Sequence, residues 1–85
     1  MIIAEVETKA DYTLRVVSLG GVVGAFDVKP YLQFEAFYPL KNLAEFEKVS
    51  NGGYFVEWDC GVDLSADTIE AKMQKVGSLS QAIKE

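Results

Sequence analysis

Apolar and polar residues alternate from the start of the chain: Ile2, Ala4, Val6 and Thr8 are apolar or β-branched, and Glu5, Glu7 and Lys9 fill positions between them. A period of two over this length predicts a half-buried strand with the first set inward and Ile3 as the one residue out of phase. Ala10 and Asp11 supply a turn. The next run, Tyr12 to Leu19, is rich in Val, Leu, Tyr and Thr and ends at Gly20 and Gly21, which take the positive φ of a tight hairpin without a steric cost. Val22 to Val28 returns as a third strand, where Gly24 marks a bulge or a close backbone approach. The first half therefore reads as a three-stranded antiparallel meander.

Pro30 fixes φ and lacks a donor, so the chain is expected to leave the sheet near Lys29 into a short helical turn over Tyr31 and Leu32. Pro39 is read as a second break. Asn42 with Glu45 three residues later has the form of a capping box, opening a short helix to about Lys48 with Leu43, Phe46 and Val49 inward. Ser50 to Gly53 reads as a turn, Tyr54 to Trp58 as a fourth strand, Gly61 as a turn and Val62 to Leu64 as a brief fifth strand. Ser65 is an N-cap for a helix from Ala66, with Asp67 in its first turn and Ile69 and Met73 on one face. Gly77 is the expected C-cap, leaving residues 77–85 as a frayed tail or one last helical turn around Leu79 and Ile83. The fold expected is α+β: one domain over 1–85, an antiparallel sheet of four or five strands, and two short helices, from near Leu43 and Ala66, packed on one face.

Composition narrows the function more than the fold. The 85 residues are 49% hydrophobic and 25% charged, enough for one modest core. No run of about 18 apolar residues occurs, and the first residues carry neither a basic flank nor a cleavage-site pattern, so the expected location is cytoplasmic with no membrane partner. A net charge of −5, with the eight basic residues scattered singly, disfavours direct binding of nucleic acid. There is no histidine and a single cysteine. Imidazole general bases and the commonest zinc ligands are thus missing, and no cofactor is expected.

The residues that could carry chemistry have plainer explanations. Asp59, Asp63 and Asp67 recur every fourth residue, but Gly61 and the preceding strand place the first two in a turn. They are read as turn and helix-start residues rather than a metal site. Sequence spacing does not bring Asp27 and Asp59 to a catalytic separation. Cys60 lacks a histidine base and a CxxC partner, so it is expected to be a buried or inert thiol. Gly20, Gly21 and Gly24 lie between strands and open no helix, which rules out a phosphate loop. Trp58 is expected in the core or at its edge, its indole N–H satisfied by Asp59, Asp63 or a backbone carbonyl. The most informative cluster is Tyr31, Phe34, Phe37 and Tyr38, four aromatics within an irregular segment bounded by prolines. Phe37, with Leu40, could plug the open face of the sheet; rings left outside would suit a partner or self interface. Ile2 to Lys9 is a further candidate pairing edge, discouraged by Glu5, Glu7 and Lys9.

The order of motifs is itself distinctive: Gly-Gly before an apolar strand, FDVKPYL at Phe26 to Leu32, FYPL at Phe37 to Leu40, and VEWDCGVDLSADTI at Val56 to Ile69. Over about residues 2–74 this resembles the bacterial Domain of Unknown Function 2442 family. The resemblance implies a small α+β domain of antiparallel strands and short helices, and carries no catalytic residue onto this chain. It also implies two settings. Some relatives place the domain ahead of a helix-turn-helix and look like transcriptional regulators; others are short and encoded beside a second small protein, as in a toxin and antitoxin pair. Asp59 and Cys60 depart from the family pattern, which reads proline then asparagine before the glycine. The expectation is a non-enzymatic interaction module, accessory or antitoxin-like, that binds a small protein partner or itself. The alternative is a ligand-sensing regulatory domain acting with a separate DNA-binding element.

Overall fold

The computed structural model describes residues 1–78. Its first three strands, β1 (Ile3–Lys9), β2 (Thr13–Ser18) and β3 (Val22–Asp27), form the expected meander, each pair antiparallel. Leu14 and Val16 point from β2 into the main core with Phe26 of β3, while Val17 and Val23, directly paired, are buried on the opposite face. The hairpin between β2 and β3 turns at Gly21, φ +91°. The first hairpin turns through Ala10, Asp11 and Tyr12, a three-residue connection between paired Lys9 and Thr13 whose last two residues take positive φ. Tyr12 holds this strained geometry by side-chain anchoring: its hydroxyl donates to the Lys41 carbonyl, and its ring meets Phe46 edge-on at 5.2 Å.

After β3 the chain forms two 3₁₀ helices, Lys29–Gln33 and Glu35–Lys41, then the one-turn helix α1 (Leu43–Phe46). Two further strands follow, β4 (Val49–Asn51) and β5 (Phe55–Trp58), then β6 (Asp63–Ser65), helix α2 (Ala66–Lys72) and β7 (Gln74–Ser78). The α+β class stands, but the strands are divided between two sheets. One has the order β1-β2-β3-β7 and the other β4-β5-β6. The core lies where the sheets meet the helices: Leu14, Val16, Phe26 and Val28 pack with Leu40, Phe46, Val56, Trp58, Leu64 and Ile69. Trp58 is 1% exposed, stacks on Phe46 at 6.0 Å and donates its indole N–H to the Phe46 carbonyl at 2.7 Å. Of its expected acceptors, the backbone carbonyl is the one used.

The edges of the two sheets are stitched together. Ile3 N–H donates to the Gly53 carbonyl at 2.8 Å, and Asn51 Nδ2 donates to the Ile3 carbonyl at 2.9 Å. This explains the phase of β1. A register shift between Ile3 and Glu5 turns the strand over, so Ile3 is buried and Ile2 and Ala4 are exposed, while Val6 and Thr8 keep their inward phase. At its Ile3 end the β1 edge is therefore already capped by the smaller sheet.

Other expectations need correction. Pro39 lies inside the second 3₁₀ helix and does not break the chain. Asn42 caps α1 through Ala44 N–H, but the helix stops at Phe46 because Val49 to Asn51 pair with Val56 to Trp58 as β4. With so short a helix Leu43 stays exposed. Helix α2 begins at its Ser65 cap as expected and ends at Lys72, capped by Met73. Gly77 is thus no helix cap but part of β7, which pairs with β3. Of the proposed tail, residues 79–85 lie outside the described residues.

Gly24 is a close-approach glycine. It sits beside a register shift between β3 and β7, and the Met73 thioether occupies the space a Cβ would need.

Candidate functional site

The four aromatics of the 3₁₀ segment divide into a supporting pair and an outward pair. Pro30 in the first 3₁₀ helix and the extended Phe34 between the two helices redirect the chain, so the rings cannot all reach one core. Tyr31 is half-buried, packing on Phe26 at 5.6 Å and on Phe37 at 5.5 Å. Phe37 is also half-buried against the core, beside fully buried Leu40, which fits the plug reading for that residue. Phe34 and Tyr38 are 54% and 49% exposed. Phe34 touches Tyr31 edge-on at 6.4 Å, and Lys41 lies over the Tyr38 ring with its ammonium 4.3 Å from the centroid. The structure thus brings Tyr31, Phe34 and Phe37 into one stack and leaves Tyr38 outside on the same segment.

Beside this stack runs a cleft of about 390 Å³, lined by Phe26, Asp27, Pro30, Tyr31, Phe34 and Lys72 among others. A more polar hollow of about 450 Å³, containing Thr13, Ala25 and Gln74, adjoins it through the shared Asp27 and Lys72. The two charges differ in availability. Asp27 Oδ1 accepts Lys29 N–H at 2.9 Å and pairs with the Lys29 ammonium at 3.1 Å. That bond to Asp27, with further contacts to Asp11, raises the Lys29 pKa above its ordinary value. Lys72 makes no ion pair among the described residues. Sequence reasoning missed Lys72 and Pro30 as members of a site. Lys72 closes a helix far along the chain from Tyr31, and only the β3–β7 pairing brings them together.

The remaining candidates are dispersed. Asp59 follows β5, Asp63 is exposed at the start of β6 opposite Glu57, and Asp67 opens α2 near the Met1 amine. Among the described residues no group of three potential metal ligands occurs. Asp27 ends β3 in the larger sheet, whereas Asp59 lies in the turn after β5 of the smaller one. Cys60 is exposed, not buried, in the turn after β5, which closes with Gly61 at φ +98° donating its N–H to the Trp58 carbonyl. Its surroundings are a groove of about 440 Å³ with Phe37, Pro39, Val62 and Asp63.

A family model matches residues 3–75, nearly all of the described fold. The chain belongs to the DUF2442 family, described as proteins of unknown function. No curated protein and no solved structure matches it. Among the described residues no helix is long and apolar enough to cross a membrane.

Proposed function

We propose that this DUF2442 protein is a non-catalytic, cytoplasmic interaction module that binds a small partner protein through the ridge formed by Phe34 and Tyr38. The observation carrying the reading is that these rings are about half exposed on a segment whose Tyr31 and Phe37 pack inward against the core. Aromatic side chains on a fixed support lose little freedom on docking and bury large areas, as interface anchors do. In this reading the protein is accessory or antitoxin-like and masks its partner with this surface. Net charge −5 favours a basic partner over nucleic acid. The exposed Cys60 thiol suits a reducing compartment.

The test is co-expression with the product of the adjacent gene, capture on one tag and native mass spectrometry. A defined heterocomplex that weakens on Phe34→Ala or Tyr38→Ala is expected. A complex indifferent to both substitutions, or none, removes this reading. The cleft beside the ridge supports a second one, a ligand-sensing domain working with a separate DNA-binding element, because an apolar hollow edged by a few polar groups is the usual form of a small-molecule site.

A further inference from the structure

We propose that the cleft between the first 3₁₀ helix and the end of α2 binds a small aromatic acid, its ring against Tyr31 and Phe34 and its carboxylate on Lys72. The volume, about 390 Å³, admits a single ring with a short acidic arm. Phe26, Pro30, Tyr31 and Phe34 supply the apolar wall, and Tyr31 is fixed by contacts with both Phe26 and Phe37. Phe34, more than half exposed at the rim and edge-on to Tyr31, offers a second ring for an offset or edge-on contact.

Charge decides the class of ligand. Asp27, the carboxylate lining the cleft, is already held by the Lys29 ammonium and backbone N–H. Lys72 has no ion pair among the described residues and lines both the apolar cleft and the polar hollow next to it. A cationic ligand would meet the Lys72 ammonium and compete with Lys29 for the one carboxylate in the lining, and a neutral one would leave the ammonium unused. An anion gains a charge-assisted hydrogen bond, the stronger kind. The inference concerns this cleft alone and does not require the protein partner.

The test is a two-dimensional NMR titration of the full chain with phenylacetate, benzyl alcohol and phenethylamine. Phenylacetate is expected to shift Tyr31, Gln33, Phe34 and Lys72 saturably and to bind about tenfold tighter than benzyl alcohol, the amine being weakest. Lys72→Met, which keeps the stem on an exposed helix position, removes the preference for the acid and leaves ring binding in place. Phe34→Ala weakens all three probes. Equal binding of acid and alcohol, an unchanged preference in Lys72→Met, shifts centred elsewhere, or no saturable shift overturns the proposal. A peptide ending in a free phenylalanine carboxylate is the control arm. Response to that peptide but not to phenylacetate would overturn the small-molecule assignment in favour of a protein segment.

Discussion

Trp58→Phe isolates the contact that joins α1 to the smaller sheet. The indole is 1% exposed and its N–H is the buried donor to the Phe46 carbonyl at 2.7 Å. Phenylalanine retains an aromatic face toward Phe46 but has no donor, so a buried carbonyl loses its partner. Leaving such a group unsatisfied costs about 1–3 kcal/mol. The smaller ring adds a cavity worth about 1 kcal/mol more where the surroundings relax only partly. The sum is about 2–4 kcal/mol, a large part of the stability of a domain this size. Urea unfolding followed by far-UV circular dichroism measures it, since the variant loses the chain's one tryptophan and its fluorescence. At about 4–8 °C per kcal/mol for a domain of this size, a fall in Tm of about 8–32 °C should accompany the shift. A variant within about 0.5 kcal/mol of the parent would refute the assignment of this hydrogen bond as a strut of the core.

Gly24→Ala should destabilise by about 1–3 kcal/mol because the new methyl displaces the Met73 thioether, and the loss should be less than additive with Met73→Ala in a double-mutant cycle. Asn51→Asp keeps the acceptor for Gly53 N–H but sets a carboxylate against the Ile3 carbonyl in place of a donor. It should cost about 1–3 kcal/mol in denaturant unfolding and raise amide exchange at Ile3. The hydrogen bond from the Met1 amine to Glu70, 2.9 Å, raises the amine above its ordinary value of 8.0 and lowers Glu70 below 4.5. Its contribution is complete between pH 4.5 and 8.0, fades in acid as pH falls through the lowered Glu70 value, and fades in base as pH rises through the raised amine value. NMR titration should show both displacements, with Glu70→Gln moving the amine back toward its ordinary value while Asp67 stays nearby.

What was legible depended on signal length. The meander was readable because Val, Leu and Phe alternate over strands of six or seven residues with turn residues between them. β4 was hidden because Val49-Ser50-Asn51 is three residues long and ends in a turn former; it pairs only because β5 is beside it. β7 was hidden by its sequence, Gln-Lys-Val-Gly-Ser, which has little strand propensity and takes its form from β3. The phase of Ile3 followed from a bulge and a second sheet, both long-range features. In the candidate site, the proline-bounded segment announced that some rings would stay outside, but which ones depended on packing. Phe37 and Tyr31 turned under the segment, and Phe34 and Tyr38 turned out. Lys72 carried no sign beyond its place in the last turn of a helix.

The most direct test of the aromatic ridge as a docking surface is the dissociation constant of the heterocomplex for the parent chain and for Phe34→Ala/Tyr38→Ala. Both residues are largely outside the core, so the double variant should unfold within about 1 kcal/mol of the parent. Its affinity for the partner should fall at least about a hundredfold, as for two interface anchors. A folded double variant that binds its partner as tightly as the parent would contradict the account.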